Sequence, residues 1–297
     1  MKTTFYKFSC LLLLTICCLH LSAQQPADSL SAQPTSNTKS HILSFGLAAG
    51  STHCLVPASS EMTGKFGMGG SCAINYAVYQ GFGKVDLGFK TGVDVGYLNN
   101  QFHADFQQEF TNLDYLNHPM YYTTSGVVDV NKHQLYASVP LMFALRTNGF
   151  IWNIGIRAQA AFQQTGKQQL SDLVIDAYYP EYDVHITNEL ITGLLTSEQL
   201  SMPMNLPKIS WDCLAATEIG YEHRINQYAA IGFLAYCNVG LWNDLSYNRN
   251  TPIISVSPIL SADSPVPTVT VNNAMESLLT FHRPLQFGIK LYFGLIL

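Results

Sequence analysis

Residues 285–297 read LQFGIKLYFGLIL, and they alternate without a break. Leu285, Phe287, Ile289, Leu291, Phe293, Leu295 and Leu297 are large and apolar. Gln286, Gly288, Lys290, Tyr292, Gly294 and Ile296 stand between them. Period-two alternation of this kind is the signature of a strand with two unlike faces. Seven further segments follow the same rule, at roughly 41–56, 64–80, 83–102, 131–147, 150–164, 209–225 and 227–243. One row of each is apolar, as in Val85, Leu87, Phe89, Val93, Val95 and Tyr97, or Trp152, Ile154, Ile156, Ala158, Ala160 and Phe162. The opposite rows are polar or tiny, as in Asp86, Lys90, Asp94, Gln134, Arg146, Asn153, Arg157, Glu218 and Glu222, with glycines such as Gly88, Gly92, Gly155, Gly220 and Gly288.

Composition decides which face is outside. The chain is 47% hydrophobic and only 12% charged. No stretch after residue 23 is long and apolar enough for a membrane helix. A transmembrane barrel reconciles the two, because its apolar residues are spread by alternation and face lipid while the polar row faces the lumen. The expectation is an all-β fold, an eight-stranded antiparallel up-and-down transmembrane β-barrel with long extracellular loops. Lys2 and Lys7, the apolar run Phe8 to Leu21, and Leu21-Ser22-Ala23 read as an export signal over 1–23. Residues 24–40, rich in Ser, Gln, Pro and Thr, read as a disordered periplasmic lead, and 41–297 as the barrel domain.

Register offers a check. Opposed residues of an antiparallel pair face the same side. Inward residues are even in segment 131–147 and odd in 150–164, which demands an even-length turn, and Asn148-Gly149 supplies the favoured two-residue hairpin. Gly81-Phe82 passes the same test, and Ile225 to Gln227 gives the odd loop that the next hairpin requires. The links 103–130, 165–208 and 244–276 are long and would lie outside the cell, with both termini and the tight turns in the periplasm.

The inward charges Lys90, Asp94, Arg157, Glu218 and Lys290 are the candidate site. Eight strands leave a lumen about filled by side chains, so a structural salt-bridged plug is expected over a pore constriction. The outer links are acidic: Asp105, Glu109, Asp114 and Asp129 share 103–130 with no Lys or Arg. Their spacing fits no calcium loop, and Cys54, Cys72, Cys213 and Cys237 have no metal-ligand spacing, so no metal or other cofactor is expected. A Cys213–Cys237 bridge is the one pairing this topology allows. His133, His185, His223 and His282 are scattered, and no activated-serine motif accompanies them, which argues against an enzyme. No basic patch points to nucleic acid. Leu190, Ile191, Leu194, Leu195, Leu200, Met202 and Met204 mark link 165–208 as either a partner surface or a lid over the mouth.

Two hairpins carry a resemblance. HQLYASVPLMFALRTNGFIWNIGIRAQAAF, from His133, and DCLAATEIGYEHRINQYAAIGFLAYCNVGLWND, from Asp212, resemble the paired strands of the PorT-like outer-membrane β-barrel group of the Bacteroidota. Two features depart from that group: the chain finishes on Leu297 where members commonly have an aromatic residue, and link 165–208 is long. The resemblance implies an eight-stranded barrel; most members have no established activity, and PorT-like ones are associated with type IX secretion. The functional expectation is a non-enzymatic structural or interaction protein of the outer membrane, contacting lipid and binding cell-surface or periplasmic proteins through its loops. A secretion-assembly component, a small porin and a lipid-modifying enzyme are the alternatives.

Overall fold

The computed structural model describes residues 39–56, 61–113, 118–187, 199–243, 252–257, 268–279 and 282–297. The signal and nearly all of the lead expected at the N-terminus lie outside these residues. Eight strands form one closed antiparallel ring: β1 (Lys39–Leu55), β2 (Met62–Phe82), β3 (Val85–Leu113), β4 (Pro119–Thr147), β5 (Phe150–Tyr179), β8 (Ser210–Arg224), β9 (Ala229–Asn243) and β12 (Arg283–Ile296). Each pairs with its neighbour in chain order, and β12 closes on β1, with Phe45 opposite Phe293. Closure leaves no strand edge within the ring. Short β6 (Val184–Thr187) and β7 (Gln199–Pro203) add to β5 above the ring; β10 (Ile254–Ser257) pairs with β11 (Thr268–Val271), and a single helical turn, α1 (Ala274–Leu278), follows.

All eight segments read from alternation are strands, and the expected parity holds. Thr147 opposes Phe150 around Asn148 (φ 47°) and Gly149 (φ 84°). Positive φ at both central residues makes this the hairpin turn whose twist matches its strands. The first tight turn is Gly83-Lys84 rather than Gly81-Phe82, since Phe82 still pairs with Val85. The even loop length survives, and Gly83 supplies a positive φ (68°). The third hairpin closes at Arg224 opposite Ala230, longer than the expected Ile225–Gln227 loop by one register step and of the same parity. These three turns share one end with the start of β1 and the end of β12: Ile296 N–H donates to Tyr228 O and Leu297 N–H to His41 O. β1 begins at Lys39, so the last two residues assigned to the lead belong to the barrel.

The outer surface of the ring is apolar. Leu47 is 65% exposed, Phe143 62% and Leu291 57%, and they belong to a continuous belt that includes Phe45, Ile74, Phe89, Val93, Leu141, Ile154, Ile156, Phe233 and Ile289. On β3 the belt runs from Leu87 to Tyr97. Ten residue steps of about 3.3 Å, tilted by about 40°, give a band about 25 Å tall, the height of a lipid-facing barrel belt. Soluble monomers rarely expose an apolar patch of that extent. The chain spans a membrane as a β-barrel.

β3, β4 and β5 run on far past the belt. β3 continues to Leu113 and β5 to Tyr179, so much of links 103–130 and 165–208 is strand rather than loop. Polarity reverses there. Odd residues of β3 face out throughout, yet Leu87 to Tyr97 give way to Asn99, Gln101, His103, Asp105, Gln107 and Glu109. Even residues face in throughout, yet Lys90 and Asp94 give way to Phe102, Ala104 and Phe106. Below, the protein is apolar outside because its solvent is lipid; above, it is apolar inside because its solvent is water. β5 reaches the same result through a bulge: Leu135 opposes Gln163 while Tyr136 opposes Ala161, which changes the inward parity beyond Phe162.

Candidate functional site: the layered interior

Three layers of polar side chains cross the lumen under an apolar chamber. The layer nearest the tight turns centres on Arg146 of β4. Its guanidinium donates to Asp86 of β3 (2.7 and 2.9 Å), Glu222 of β8 (3.3 Å) and Ser40 of β1 (3.2 Å), and it lies 4.4 Å over the ring of Tyr79. Tyr292 of β12 donates to Glu222 (2.8 Å). Gly232 leaves room for that ring, since a Cβ there would sit 2.1 Å from Tyr292 Cε1. Asp86, Arg146 and Glu222 were legible as inward residues but not as a unit; the signal was their common position near the turn ends of three strands.

The middle layer brings together all five candidates. Lys90, Asp94, Arg157, Glu218 and Lys290 are each at least nine-tenths buried. Arg157 Nη1 hydrogen-bonds Asp94, and Lys90 Nζ hydrogen-bonds Glu218. Glu218 also meets Lys290 Nζ at 3.4 Å and Arg157 Nη2 at 3.7 Å, and accepts from Asn153 Nδ2 (3.0 Å). Lys290 lies 4.0 Å from Asp94. The donors come from β3, β5 and β12 and the acceptors from β3 and β8, so the ion pairs tie opposite walls together. Three cations meet two anions here, and one cation meets two anions in the layer below, so the two layers are together neutral. Buried charge in a narrow lumen requires such pairing.

The third layer is uncharged. Asn238 donates to Gln286 (3.1 Å) and Gln286 to Gln159 (3.2 Å); Asn100 donates to Gln134 and Gln134 to Gln164 (both 2.9 Å), and Gln164 to Ser210 Oγ (3.0 Å). These amides form a floor. Above it lies the apolar cluster of Met62, Phe102, Phe106, Met120, Tyr122, Val128, Leu170 and Ile175. Described residues of link 244–276, and Leu279 just past it, fill this chamber instead of reaching outward: Ile253, Ile254, Met275 and Leu279 are fully buried in it. Gln168 holds the segment by donating to Asn272 O (2.8 Å) and accepting from Ala274 N–H (2.9 Å), and Gln108 accepts from Ile253 N–H (2.7 Å). Leu200 and Met204 pack against the same cluster, so this part of link 165–208 folds down as a lid. Leu190, Ile191, Leu194 and Leu195 lie outside the described residues.

His282, buried against Phe102 (ring centroids 5.8 Å apart), is held neutral: burial, then the nearby Lys132, lower its pKa to about 3. On the outer wall Asp129 accepts from Lys65 (2.8 Å) and His103 (2.9 Å). Burial raises the Asp129 pKa, but these two hydrogen bonds outweigh it and hold the carboxyl below its ordinary value. Cys54, Cys72, Cys213 and Cys237 are free thiols. Cys213 opposes Trp242 while Cys237 opposes Thr217, four positions away along β8, so the one pairing the topology seemed to allow cannot close. Among the described residues no group of His, Cys, Asp or Glu is arranged to hold a metal.

No protein-family model and no curated protein matches the chain. Among solved structures, the chain is similar to the outer membrane protease OmpT from Escherichia coli at 10% identity, covering 91% of this chain and 99% of that one, with a TM-score of 0.23. It is also similar to the toluene transporter TodX of P. putida at 8% identity, covering 90% and 91%, with a TM-score of 0.15. Scores at this level carry no inference about activity, and the barrel rests on its own hydrogen-bond ring and apolar belt.

Proposed function

We propose that this protein is a non-enzymatic outer-membrane anchor: a barrel closed to bulk flow that raises a rigid extracellular turret for binding another protein. The observation that carries the reading is the transverse ion network, in which Glu218 of β8 engages cations from β3, β5 and β12 at once. A lumen crossed in this way has no room for a hydrated path of porin width, and the apolar chamber filled by Ile253, Ile254, Met275 and Leu279 lies over it. An outer-membrane location follows from the barrel form, since lipid-spanning barrels of this kind belong to outer membranes. The turret replaces the flexible loops as the presenting surface, because β3–β5 hold it on continuous strands. Recording from the purified protein in planar bilayers tests the anchor: the expected result is no steady conductance, and a large stable open level contradicts it.

A further inference from the structure

Above the membrane the outer wall of the turret is mostly polar, but one aromatic row stands on it. Tyr121 of β4, Tyr178 of β5 and His185 of β6 are neighbours across three strands, in register. Tyr178 stacks on His185 with ring centroids 4.3 Å apart. Val174 and Tyr182 are exposed beside this row. Aromatic and aliphatic side chains gathered on one exposed sheet face mark an interface. The row also ends at an open edge. Among the described residues β6 pairs on one side only, with β5, so its other backbone groups face outward.

Charge says what fits there. Residues 168–187 contain Asp172, Asp176, Glu181 and Asp183 and neither Lys nor Arg, and the facing stretch 105–128 also lacks both. Asp183 accepts from Tyr178 Oη (3.2 Å) at the turn leading into β6, and Asp176, opposite Thr187, has a buried Oδ1 with no hydrogen-bond donor. An acidic rim around tyrosine rings complements Lys and Arg side chains, through ion pairing and through cation–π contact. An extended segment added to a sheet edge gains main-chain hydrogen bonds, and its alternate side chains fall on one face.

We propose that the free edge of β6 receives an extended, Lys/Arg-rich segment of a partner protein, its basic side chains lying over Tyr121, Tyr178 and Tyr182 between Asp176, Glu181 and Asp183. This rests on the anchor reading above and names the partner's chemistry.

The test uses the full protein in zwitterionic detergent and a fluorescent synthetic decapeptide alternating Lys with Val. Saturable binding is expected, weakening at least tenfold on raising salt from 50 to 500 mM. The triple variant Asp176→Asn/Glu181→Gln/Asp183→Asn and the single variant Tyr182→Ala should each weaken it at least fivefold. A peptide N-methylated at alternate amides, which keeps its charge but cannot pair along one edge, should bind at least tenfold less tightly. Absence of binding, equal binding by the N-methylated peptide, or equal binding by both variants overturns the proposal. A wild-type circular dichroism spectrum and melting curve for each variant excludes misfolding as the cause of a loss. Failure here with a silent bilayer recording removes the edge site alone; an open channel removes the anchor reading, whatever the peptide does.

Discussion

Glu218 is the residue on which the lumen turns, because its carboxylate faces Lys90, Arg157 and Lys290 together. Replacing it leaves three buried cations with only Asp94 for company. Removing one partner of a buried ion network costs about 3–5 kcal/mol, since the remaining charge stays out of water. Lys290 is the lesser case: without it Glu218 keeps Lys90 and Arg157, and Asp94 keeps Arg157, so no buried charge is left unpaired. Glu218→Gln is therefore expected to lower barrel stability by at least about 3 kcal/mol, and Lys290→Met by much less. Urea unfolding followed by tryptophan fluorescence in detergent checks the order; equal losses would show that charge pairing is not what these residues supply. The five charges were legible in the sequence because each falls in the inward row of its own strand. What alternation could not give was which of them meet, since that depends on register around the whole ring.

At the scale of elements, the cap over the chamber was the part the sequence hid. Residues 252–279 have no long periodic run, and the burial of Ile253, Ile254, Met275 and Leu279 comes from β3–β5 standing around them. Gln168 and Gln108 reach them from strand positions that looked like loop. The missing signal lay in β3 itself: the odd–even pattern continues through residue 109 while its polarity reverses near Leu98. Reading alternation as apolar-out throughout ends the strand where the membrane ends. The cap should respond to acid through His282. Its native pKa of about 3 lies below the ordinary value of 6.5, so the unfolded or opened state takes up the proton first. The resulting stability is complete above about pH 6.5 and is lost as pH falls toward 3. Hydrogen exchange at residues 274–279, corrected for intrinsic rates, should rise from pH 7 to pH 4. It should rise further in Gln168→Ala, which strips Asn272 O and Ala274 N–H of their partner. Unchanged protection in both would show that the cap is held some other way.

For the molecule as a whole, one chain meets two solvents and keeps one fold by exchanging faces between them. The barrel closes because its eight alternating segments have compatible parity, which the turns at 83–84, 148–149 and 225–229 preserve. The turret stands because the same strands continue past the interface with polarity reversed. Spin labels placed singly along β3 from residue 87 to 109 read this directly, through their accessibility to oxygen in lipid and to a nickel chelate in water. Odd positions from 87 to 97 should be reached by oxygen and odd positions from 99 to 109 by the nickel chelate, with even positions from 90 to 106 shielded from both. Water access at the odd positions from 87 to 97, or no exchange of solvent near residue 98, would contradict the account.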